Sequence, residues 1–511
     1  MKYLFPAGAA RGTTAEVAVG GNLQSWPLQA WVDRSGVAFA AKEEKGKFAV
    51  TVAANAAPGV YWTRIYNAEG ASAPLPFVVG TLPEVVEQEP NDNPTKAQSL
   101  PGSICTINGR LEKRGDVDMF AVSLAKGQTL VAAVTANELL GSPMDTVLQV
   151  VSPRGNVLAQ NDDERGLDSF FAFQAPADGV YFLRLFAFPA APDASISFAG
   201  GESFVYRLTV TTAGYLDGAL PLAVSRAGPM NVEAYGWNLA DVDRRQMLQA
   251  APEESVLEFF SPQWAGGLSL PVVESASLIE AEPDDAAHPQ PLPPHAIVSG
   301  RIDAPGDRDA FRLHLTQGQT YRFKLESRSL GYPLDSVLEL RDASGKTIST
   351  ADDADNKADS ELDFAAPADG DYVLVVSDLY GHGGPRYFYR LSTSPLEADF
   401  VLSVPQHAYT LQAGKSLEIP VTVDRRHGFA GDIEIEVRGL PEGVTASPAK
   451  SISKDDTAKS AKLVLTSTKG EFSGAIRIGG NSSAPIRRSH LTAFILPSGQ
   501  RVSELWLTVT K

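Results

Sequence analysis

The sequence predicts an all-β protein made of tandem β-sandwich domains, and three observations support this fold class. Short stretches alternate apolar and polar residues with a period of two, as in KFAVTVAA from Lys47 and again over residues 417–423, which is typical of half-buried strands. The 44 glycines and 35 prolines are spread along the chain as turns between such stretches. A chain of 511 residues also exceeds the size of one core, so we expect three or more domains.

A long block of the sequence occurs twice. The acidic stretch EQEPND at residues 87–92 returns as EAEPDD at 280–285, 193 residues later, and GDVDMF at 115–120 returns as GDRDAF at 306–311, 191 residues later. Further matches follow in the same order: SPMDTVLQV with YPLDSVLEL, APADGVYFLRL with APADGDYVLVV, and FVYRL with YFYRL. A period this long indicates a duplicated domain rather than a short solenoid repeat.

These ordered motifs resemble the bacterial pre-peptidase C-terminal (PPC) domain, a β-sandwich found on secreted bacterial peptidases and other exported proteins. The resemblance implies two PPC-type, jelly-roll-like sandwiches, at residues 84–213 and 277–395. Because one fold hosts many functions, the resemblance implies the fold more strongly than an activity.

The three remaining segments are predicted to be immunoglobulin-like β domains. Residues 1–83 contain PGVYWTRIYN, which looks like a late strand of an immunoglobulin-like sandwich. Residues 396–511 contain GLPEGVTASP, which resembles the turn and strand of bacterial immunoglobulin-like domains on exported proteins. Residues 214–276 form a small β domain, near the lower size limit for an independent core. We therefore expect a five-domain rod in which immunoglobulin-like and PPC domains alternate.

Composition bears on partners and location. The 61 acidic residues against 44 basic ones give a net charge of −17, and phosphate-backbone binding needs a basic surface, so we expect no nucleic-acid partner. A single cysteine, Cys105, excludes an intramolecular disulfide and a thiolate zinc site. No apolar run reaches the length of a membrane span, and no signal-peptide core follows Met1. A secreted or cell-envelope location is therefore implied by the resemblance alone.

The acidic stretches predict a metal site in each copy. Residues two apart in an extended strand point to the same side, so alternate acids of the lead-in can converge, with Asp116 and Asp118 closing the ring if the lead-in folds over their strand. An all-oxygen ligand set of high negative charge, without His or Cys, favours Ca²⁺ over Zn²⁺. PPC-type collagen-binding modules, which this sequence resembles, hold Ca²⁺ with an acidic lead-in of this sort. The candidate ligands are Glu87, Glu89, Asn91, Asp92, Asp116 and Asp118 in the first copy, and Glu280, Glu282, Asp284, Asp285, Asp307 and Asp309 in the second.

The second copy departs from the first at two positions. Asp284 stands where the first copy has Asn91, and Arg308 lies between the last two acids; the extra carboxylate would tighten ion binding, whereas the guanidinium would replace the ion. The alternative for both copies is a solvated linker in which Asp116 and Asp118 accept hydrogen bonds from turn amides. A weaker second candidate group comprises Asp145, Asp162, Asp163 and Asp168, with counterparts Asp335, Asp352, Asp353 and Asp359.

The sequence predicts a protein that is not an enzyme. It has no G-x-S-x-G, no H-E-x-x-H, no Gly-rich phosphate loop and no cysteine nucleophile with a paired base. We expect a calcium-stabilised structural, adhesion or accessory module of the bacterial cell envelope or secretome, in which Ca²⁺ stiffens the joint before each PPC domain. Its partner would be an extracellular polymer or a cell-surface protein.

Two alternative functions stay open. The first is a module that accompanies a secreted hydrolase and grips carbohydrate or fibrous protein with exposed aromatic side chains. The aromatic candidates are Phe186, Phe188, Phe198, Tyr380 and Tyr387. The second is a hydrolase that works with paired carboxylates, whose separation in space a sequence does not give.

Overall fold

A computed structural model describes residues 1–191, 197–353, 359–483, 488–496 and 501–511. Strands dominate these residues and group into five successive pairs of packed sheets, which we call the first to fifth modules. The predicted all-β, tandem-sandwich fold is confirmed. No helix in the described ranges is long and apolar enough to cross a membrane.

The first module packs two four-stranded sheets, of strand order β1-β3-β6-β5 and β2-β8-β7-β4. Its strands are β1 (Tyr3–Phe5), β2 (Gly8–Ala10), β3 (Thr14–Gly20), β4 (Gln29–Val32), β5 (Val37–Ala41), β6 (Lys47–Val52), β7 (Gly59–Tyr66) and β8 (Leu75–Gly80). The alternation predicted for β6 is confirmed, because Phe48, Val50 and Val52 are buried together with Tyr61 and Phe77 of the facing sheet.

The second module packs two five-stranded sheets, of order β10-β12-β17-β14-β15 and β16-β13-β18-β11-β9. Its elements are β9 (Glu84–Val86), β10 (Gln98–Ser99), β11 (Ile104–Arg110), β12 (Asp118–Leu124), β13 (Thr129–Thr135), α1 (Asn137–Leu140), β14 (Met144–Val151), β15 (Val157–Asn161), β16 (Phe170–Gln174), β17 (Gly179–Pro189) and β18 (Val205–Thr211). Strand β9 pairs in parallel with β11, and β10 pairs in parallel with β12 of the other sheet. The acidic lead-in between β9 and β10 therefore crosses from one sheet to the other.

The third module is the smallest, with sheets of order β22-β21-β19-β24 and β20-β25-β23. Its elements are β19 (Gly214–Leu220), β20 (Val224–Ser225), β21 (Met230–Trp237), a 3-10 helix (Asp241–Asp243), β22 (Arg245–Leu248), β23 (Val256–Phe259), β24 (Trp264–Ala265) and β25 (Leu268–Val273). Several of its aromatic side chains pack on neighbours instead of its own core: Tyr215 and Trp237 contact Phe170 of the second module, and Tyr235 contacts Phe388 of the fourth. A segment this short thus shares its apolar surface with both flanking modules.

The fourth module repeats the second strand for strand, with sheets of order β27-β29-β34-β31-β32 and β33-β30-β35-β28-β26. Its elements are β26 (Ala276–Ile279), β27 (Gln290–Pro291), β28 (Ala296–Arg301), β29 (Asp309–Leu315), β30 (Thr320–Glu326), a 3-10 helix (Arg328–Leu330), β31 (Ser336–Arg341), β32 (Thr347–Ala351), β33 (Glu361–Ala365), β34 (Gly370–Asp378) and β35 (Phe388–Pro395). Its lead-in also runs between two parallel edge pairings, β26 on β28 and β27 on β29. The duplicated sequence therefore folds into two equivalent sandwiches.

The fifth module packs a sheet of order β36-β38-β42-β40 against one of order β37-β47-β43-β39-β41, with β44 beside β43 and a separate β45-β46 pair. Its strands are β36 (Asp399–Ser403), β37 (Ala408–Gln412), β38 (Ser416–Arg426), β39 (Ile433–Arg438), β40 (Val444–Ala446), β41 (Ala449–Ser451), β42 (Ser460–Ser467), β43 (Phe472–Ser482), β44 (Arg488–Leu491), β45 (Phe494–Ile495), β46 (Arg501–Val502) and β47 (Leu505–Thr510). Ile419, Val421 and Val423 are buried while the residues between them are exposed, as the alternation predicts.

The expectation of a rod is wrong, because the fifth module packs against the first. Trp506 of β47 is buried between Trp31 and Tyr66, with ring centroids 6.0 and 4.7 Å away, and Ser473 Oγ donates to the Asn67 carbonyl at 3.0 Å. Leu505 and Leu507 fill the module's own core, so Trp506, on the opposite face of the same strand, faces the first module. The modules therefore close on one another.

Candidate metal centre

The fold of the second module brings its acidic lead-in beside the start of β12. The Met119 N–H donates to the Asn91 carbonyl at 3.1 Å, and the Arg110 N–H donates to Glu87 Oε1 at 2.7 Å. Asp116 lies in the turn before β12 and accepts the Glu112 N–H on Oδ2 at 2.5 Å. These bonds fix the lead-in and the turn at one end of the sandwich.

A tyrosine holds two carboxyl groups of this cluster. Tyr206 of β18 is fully buried, and its hydroxyl oxygen lies 2.5 Å from Asp118 Oδ2 and 3.0 Å from Glu87 Oε2. Burial raises the pKa of Glu87 to about 7, and burial together with the neighbouring Glu87 raises the pKa of Asp118 well above its ordinary value. Without a cation, this pair of carboxyl groups therefore retains a proton at neutral pH.

Four buried polar atoms of the cluster have no hydrogen-bond partner. Asn91, Asp116 and Asp118 are fully buried, yet Asn91 Oδ1 and Nδ2, Asp116 Oδ1 and Asp118 Oδ1 are all unsatisfied. One carboxylate oxygen from each of Glu89, Asp116 and Asp118 lies within 4.8 Å of the others, and Lys113 Nζ lies 3.9 Å from Asp116 Oδ1. Unsatisfied buried oxygens are costly, and oxygen atoms that converge in this way fit a hard cation.

The fourth module builds the same arrangement. Tyr389 is hydrogen-bonded to Glu280 Oε2 at 2.8 Å and to Asp309 Oδ2, while the Arg301 N–H donates to Glu280 Oε1 at 2.7 Å. The Ala310 N–H donates to the carbonyl of Asp284 at 2.5 Å and so holds the lead-in against β29.

Two overlapping acidic groups lie within ligand distance in the fourth module. Glu280, Asp284 and Asp309 form one group, and Glu282, Asp307 and Asp309 form the other, with one oxygen of each residue within 4.8 Å of the others in its group. Asp284 Oδ2 and Asp309 Oδ1 are buried without partners. Burial, followed by repulsion from Asp309, raises the pKa of Asp284 to about 8; burial, followed by Glu280, raises the pKa of Asp309 to about 10.

Two of the predicted ligands lie outside these clusters. Asp285 is exposed, accepts the N–H groups of Ala287 and His288, and lies 3.1 Å from the His288 ring, an arrangement that lowers its pKa. Asp92 is half-buried and belongs to none of the acidic groups found among the described residues. The structure brings the other ten candidates together, five in each module.

The geometry bears on two alternatives to a metal site, namely that Arg308 replaces the ion and that Asp116 and Asp118 lie in a solvated linker. The Arg308 guanidinium points to Glu339, with Nη1 3.8 Å from Oε2, so it does not neutralise the cluster directly. Asp116 does accept a turn amide, as the linker alternative supposes, but Asp116 and Asp118 are buried rather than solvated.

Tyr206 and Tyr389 were missed by sequence reasoning. They are the third residues of the matched FVYRL and YFYRL stretches, so a repeated tyrosine at a core-facing strand position was the available signal. Their hydroxyl groups cannot be assigned to the lead-in acids without the pairing of β18 with β11, which brings Tyr206 opposite Gly109.

Two members of the weaker acidic group, Asp168 and Asp359, have a structural role. Asp168 accepts the N–H groups of Ala136 and Asn137, at 3.0 and 2.7 Å, at the start of α1. Its counterpart Asp359 accepts the N–H groups of Ser327 and Arg328, at 3.0 and 2.8 Å. Both carboxylates thus complete the hydrogen bonding of a short helical turn.

The aromatic candidates do not form an exposed row. Phe186, Phe188 and Phe198 pack on each other, with ring centroids 4.4 to 6.2 Å apart, and Tyr387 packs against the core of the fourth module. Tyr380 is different, because 71% of its surface is exposed, and its ring lies 6.0 Å from the His382 ring.

Comparison with known sequences bears on the duplicated modules. The family model of the bacterial pre-peptidase C-terminal domain matches residues 116–187 and 307–378, which lie within the second and fourth modules. A probable subtilase-type serine protease from Deinococcus radiodurans is 36% identical over 98 residues, which are 19% of this chain and 14% of that protein. The chain thus spans a small part of that relative's length.

Comparison with solved structures gives low overall similarity. A periplasmic inhibitor of g-type lysozyme from Aeromonas hydrophila matches with a TM-score of 0.17 at 13% identity, covering 25% of this chain and 97% of that one. Fibronectin(III)-like modules of CbhA from Clostridium thermocellum match with a TM-score of 0.15 at 13% identity, covering 38% and 88%.

Proposed function

Because the chain contains two copies of the bacterial pre-peptidase C-terminal domain, we propose that it is a non-catalytic accessory protein of the bacterial cell envelope or secretome, stabilised by Ca²⁺ in both copies. The observation that carries this proposal is the cluster of buried, unpartnered oxygens at Asn91, Asp116 and Asp118, which recurs at Asp284 and Asp309. The subtilase-type relative, whose similarity covers only part of this chain, supports an association with a serine protease.

Calcium would act by joining the lead-in to the sandwich. Glu89 and Glu282 are exposed and come from the lead-ins, whereas Asp116, Asp118 and Asp309 are held by the sandwich itself. An ion shared between them ties the crossing segment to β12 or β29 and replaces the protons that the buried carboxyl groups otherwise hold. An ion that binds only the folded form stabilises it by RT ln(1 + [L]/Kd).

A second candidate function is the binding of an extracellular polymer through the loop that carries Tyr380. Tyr380 and the neighbouring Leu379 are both exposed, at 71% and 45%, and the Gly306 N–H donates to the carbonyl of Gly381 at 3.0 Å. The exposed loop is therefore attached to the turn before Asp307. A pull-down on insoluble polysaccharide or fibrous protein tests this function, since binding should be lost in Tyr380→Ala and kept in Tyr387→Phe.

The test of the calcium proposal is a calorimetric titration of the whole chain with Ca²⁺, beside melting temperatures with Ca²⁺ and with Mg²⁺. We expect heat of binding and a melting temperature that rises with Ca²⁺, with both reduced in Glu89→Gln plus Glu282→Gln. The matched control is Asp92→Asn plus Asp285→Asn, which removes the same charge from the same two lead-ins but outside the clusters. If the parent protein shows no heat of binding and no shift in melting temperature with Ca²⁺, calcium binding is refuted.

A further inference from the structure

An arginine is buried between the first and fifth modules without an acidic partner. Arg64 of β7 is fully buried; Nη1 donates to the Ser72 carbonyl at 3.0 Å, and Nη2 donates to the Glu504 carbonyl of the fifth module at 2.8 Å. No described carboxylate lies within ion-pair distance of its guanidinium. Burial lowers the pKa of Arg64 to about 10, which still leaves it charged at neutral pH.

His407 supplies a third acceptor for Arg64. Its Nδ1 lies 3.0 Å from Arg64 Nη1, and because a guanidinium only donates, Nδ1 must carry no proton. The His407 carbonyl accepts the Trp506 N–H at 2.9 Å, and the ring packs on Phe494 at 5.2 Å. The contact between the modules therefore requires a neutral imidazole with its proton on Nε2.

We propose that Arg64 and His407 form an acid-sensitive latch that holds the fifth module against the first. A proton from solvent that adds to Nδ1 removes the acceptor and places two cations 3.0 Å apart in a buried interface. Release of the latch then separates Trp506 from Trp31 and Tyr66 and opens the closed arrangement, while each sandwich keeps its own fold.

The surroundings determine the direction of the pH effect. Arg64 is the charged group that faces His407 from β7; Glu504 is near Arg64, but its carboxylate is paired with Arg477 at 2.7 Å. Burial and the charge of Arg64 both lower the pKa of His407 below its ordinary value. The open form, with an ordinary imidazole, therefore takes up its proton at a higher pH than the closed form. The equilibrium constant for closing is therefore unaffected above about pH 6.5 and falls as the pH decreases below that value. The decrease is at most about tenfold for each unit by which the pKa of His407 in the open form exceeds that in the closed form.

Small-angle X-ray scattering of the full chain between pH 8 and pH 5 tests the latch. We expect the radius of gyration to increase on acidification and to return at pH 8. His407→Gln, whose amide oxygen accepts from Arg64 at any pH, should stay compact at pH 5. His407→Lys, which carries a permanent charge, should be open at pH 8. His314→Gln changes an exposed histidine that contacts Asp371 in the fourth module, so it should open like the parent.

Tryptophan emission gives a second measurement, since Trp506 becomes solvated on opening and its contribution is identified by difference from Trp506→Phe. A parent protein that stays compact at pH 5, or a His407→Gln variant that expands as the parent does, would overturn the latch. All of these variants keep the residues of the candidate calcium sites, so a difference between one variant and another does not come from those sites.

Discussion

Tyr206 and Tyr389 are the residues that most constrain the candidate metal centres. Each is a fully buried tyrosine whose hydroxyl group lies within hydrogen-bond distance of two neighbouring carboxyl groups. Repulsion between such close carboxyl groups is relieved by a shared proton or by a cation. The tyrosines thus allow the acids to stay together in either state.

We expect Tyr206→Phe to lower the free energy of unfolding by about 1–3 kcal/mol, because it leaves oxygen atoms of Glu87 and Asp118 unsatisfied in the core. Tyr409→Phe is the matched control, since the buried Tyr409 hydroxyl has no hydrogen-bond partner and its removal should change little. Chemical denaturation in the absence of calcium measures both. An equal effect of the two substitutions would contradict the role of Tyr206.

The raised pKa values of the buried carboxyl groups predict that the stability of the calcium-free protein depends on pH. The folded state of the calcium-free protein holds protons on Glu280 and Asp284 up to about pH 7 and 8, whereas the unfolded chain loses them near pH 4. Stability without calcium should therefore be greatest at low pH within this range and decline between about pH 4 and pH 8.

Calcium should reverse this trend, because the ion displaces those protons and binds more tightly as the pH rises. Calorimetry in two buffers of different ionisation enthalpy should show net proton release on binding at pH 7. Calcium binding that is independent of pH would contradict proton displacement from these carboxyl groups.

At the scale of elements, the two lead-ins differ although their strands pair identically. The first places the neutral Asn91 in its cluster and Lys113 near Asp116, while the second has Asp284 and, at the position of Lys113, Ala304. The second cluster thus carries one more acid and lacks the nearby ammonium group. More carboxylate ligands favour a tighter calcium site.

We therefore expect the fourth module to bind Ca²⁺ more tightly than the second, by about tenfold or more, since the added carboxylate and the missing ammonium group are each worth ~1 kcal/mol even when well screened. Asn91→Asp with Lys113→Ala should bring the first site close to the second, measured by calorimetry on a Glu282→Gln background. Thr95→Asp with Lys96→Ala, which makes the same charge change in the exposed part of that lead-in, is the control. Equal gains from both pairs would indicate a general effect of net charge.

Most elements of the sandwiches follow from the sequence, but the lead-in pairings do not. Strand β38 shows its alternation plainly, and the duplicated blocks required one fold for both copies. Strand β9 has only three residues and β10 two, too few for a periodic signal, and their parallel partners are set by the sheets they join. The grouping of the lead-in acids could be anticipated from spacing, whereas their burial and their tyrosine partners depended on this pairing.

At the scale of the whole molecule, Asp217 of the third module joins three modules. Its carboxylate is bound by Arg165 of the second module and by Arg386 of the fourth, the latter with Nε 2.9 Å from Oδ2. Both guanidinium groups also lie over the Phe170 ring, at 4.2 and 4.9 Å, and Arg386 reaches Glu164 as well. One buried carboxylate thus links three sandwiches.

We expect Asp217→Asn to destabilise the protein by about 3 kcal/mol, because it removes the buried carboxylate shared by the partly buried Arg165 and the buried Arg386, and leaves Arg386 with Glu164 alone. Calorimetric unfolding should change from one transition for these three modules to separate transitions. Glu258→Gln removes the partly exposed ion pair with Arg34, between the third and first modules, and should cost less than about 1 kcal/mol. A single undivided transition in Asp217→Asn would show that the three modules are coupled by other contacts.

The return of the fifth module to the first also has a mechanical consequence. A force that pulls these two modules apart is borne first by the aromatic contact at Trp506 and the hydrogen bonds of Arg64, not by the sheets. We expect this contact to separate under tension before any sandwich unfolds, so that the molecule lengthens while the strands stay paired. It would behave as a reversible extensible tether.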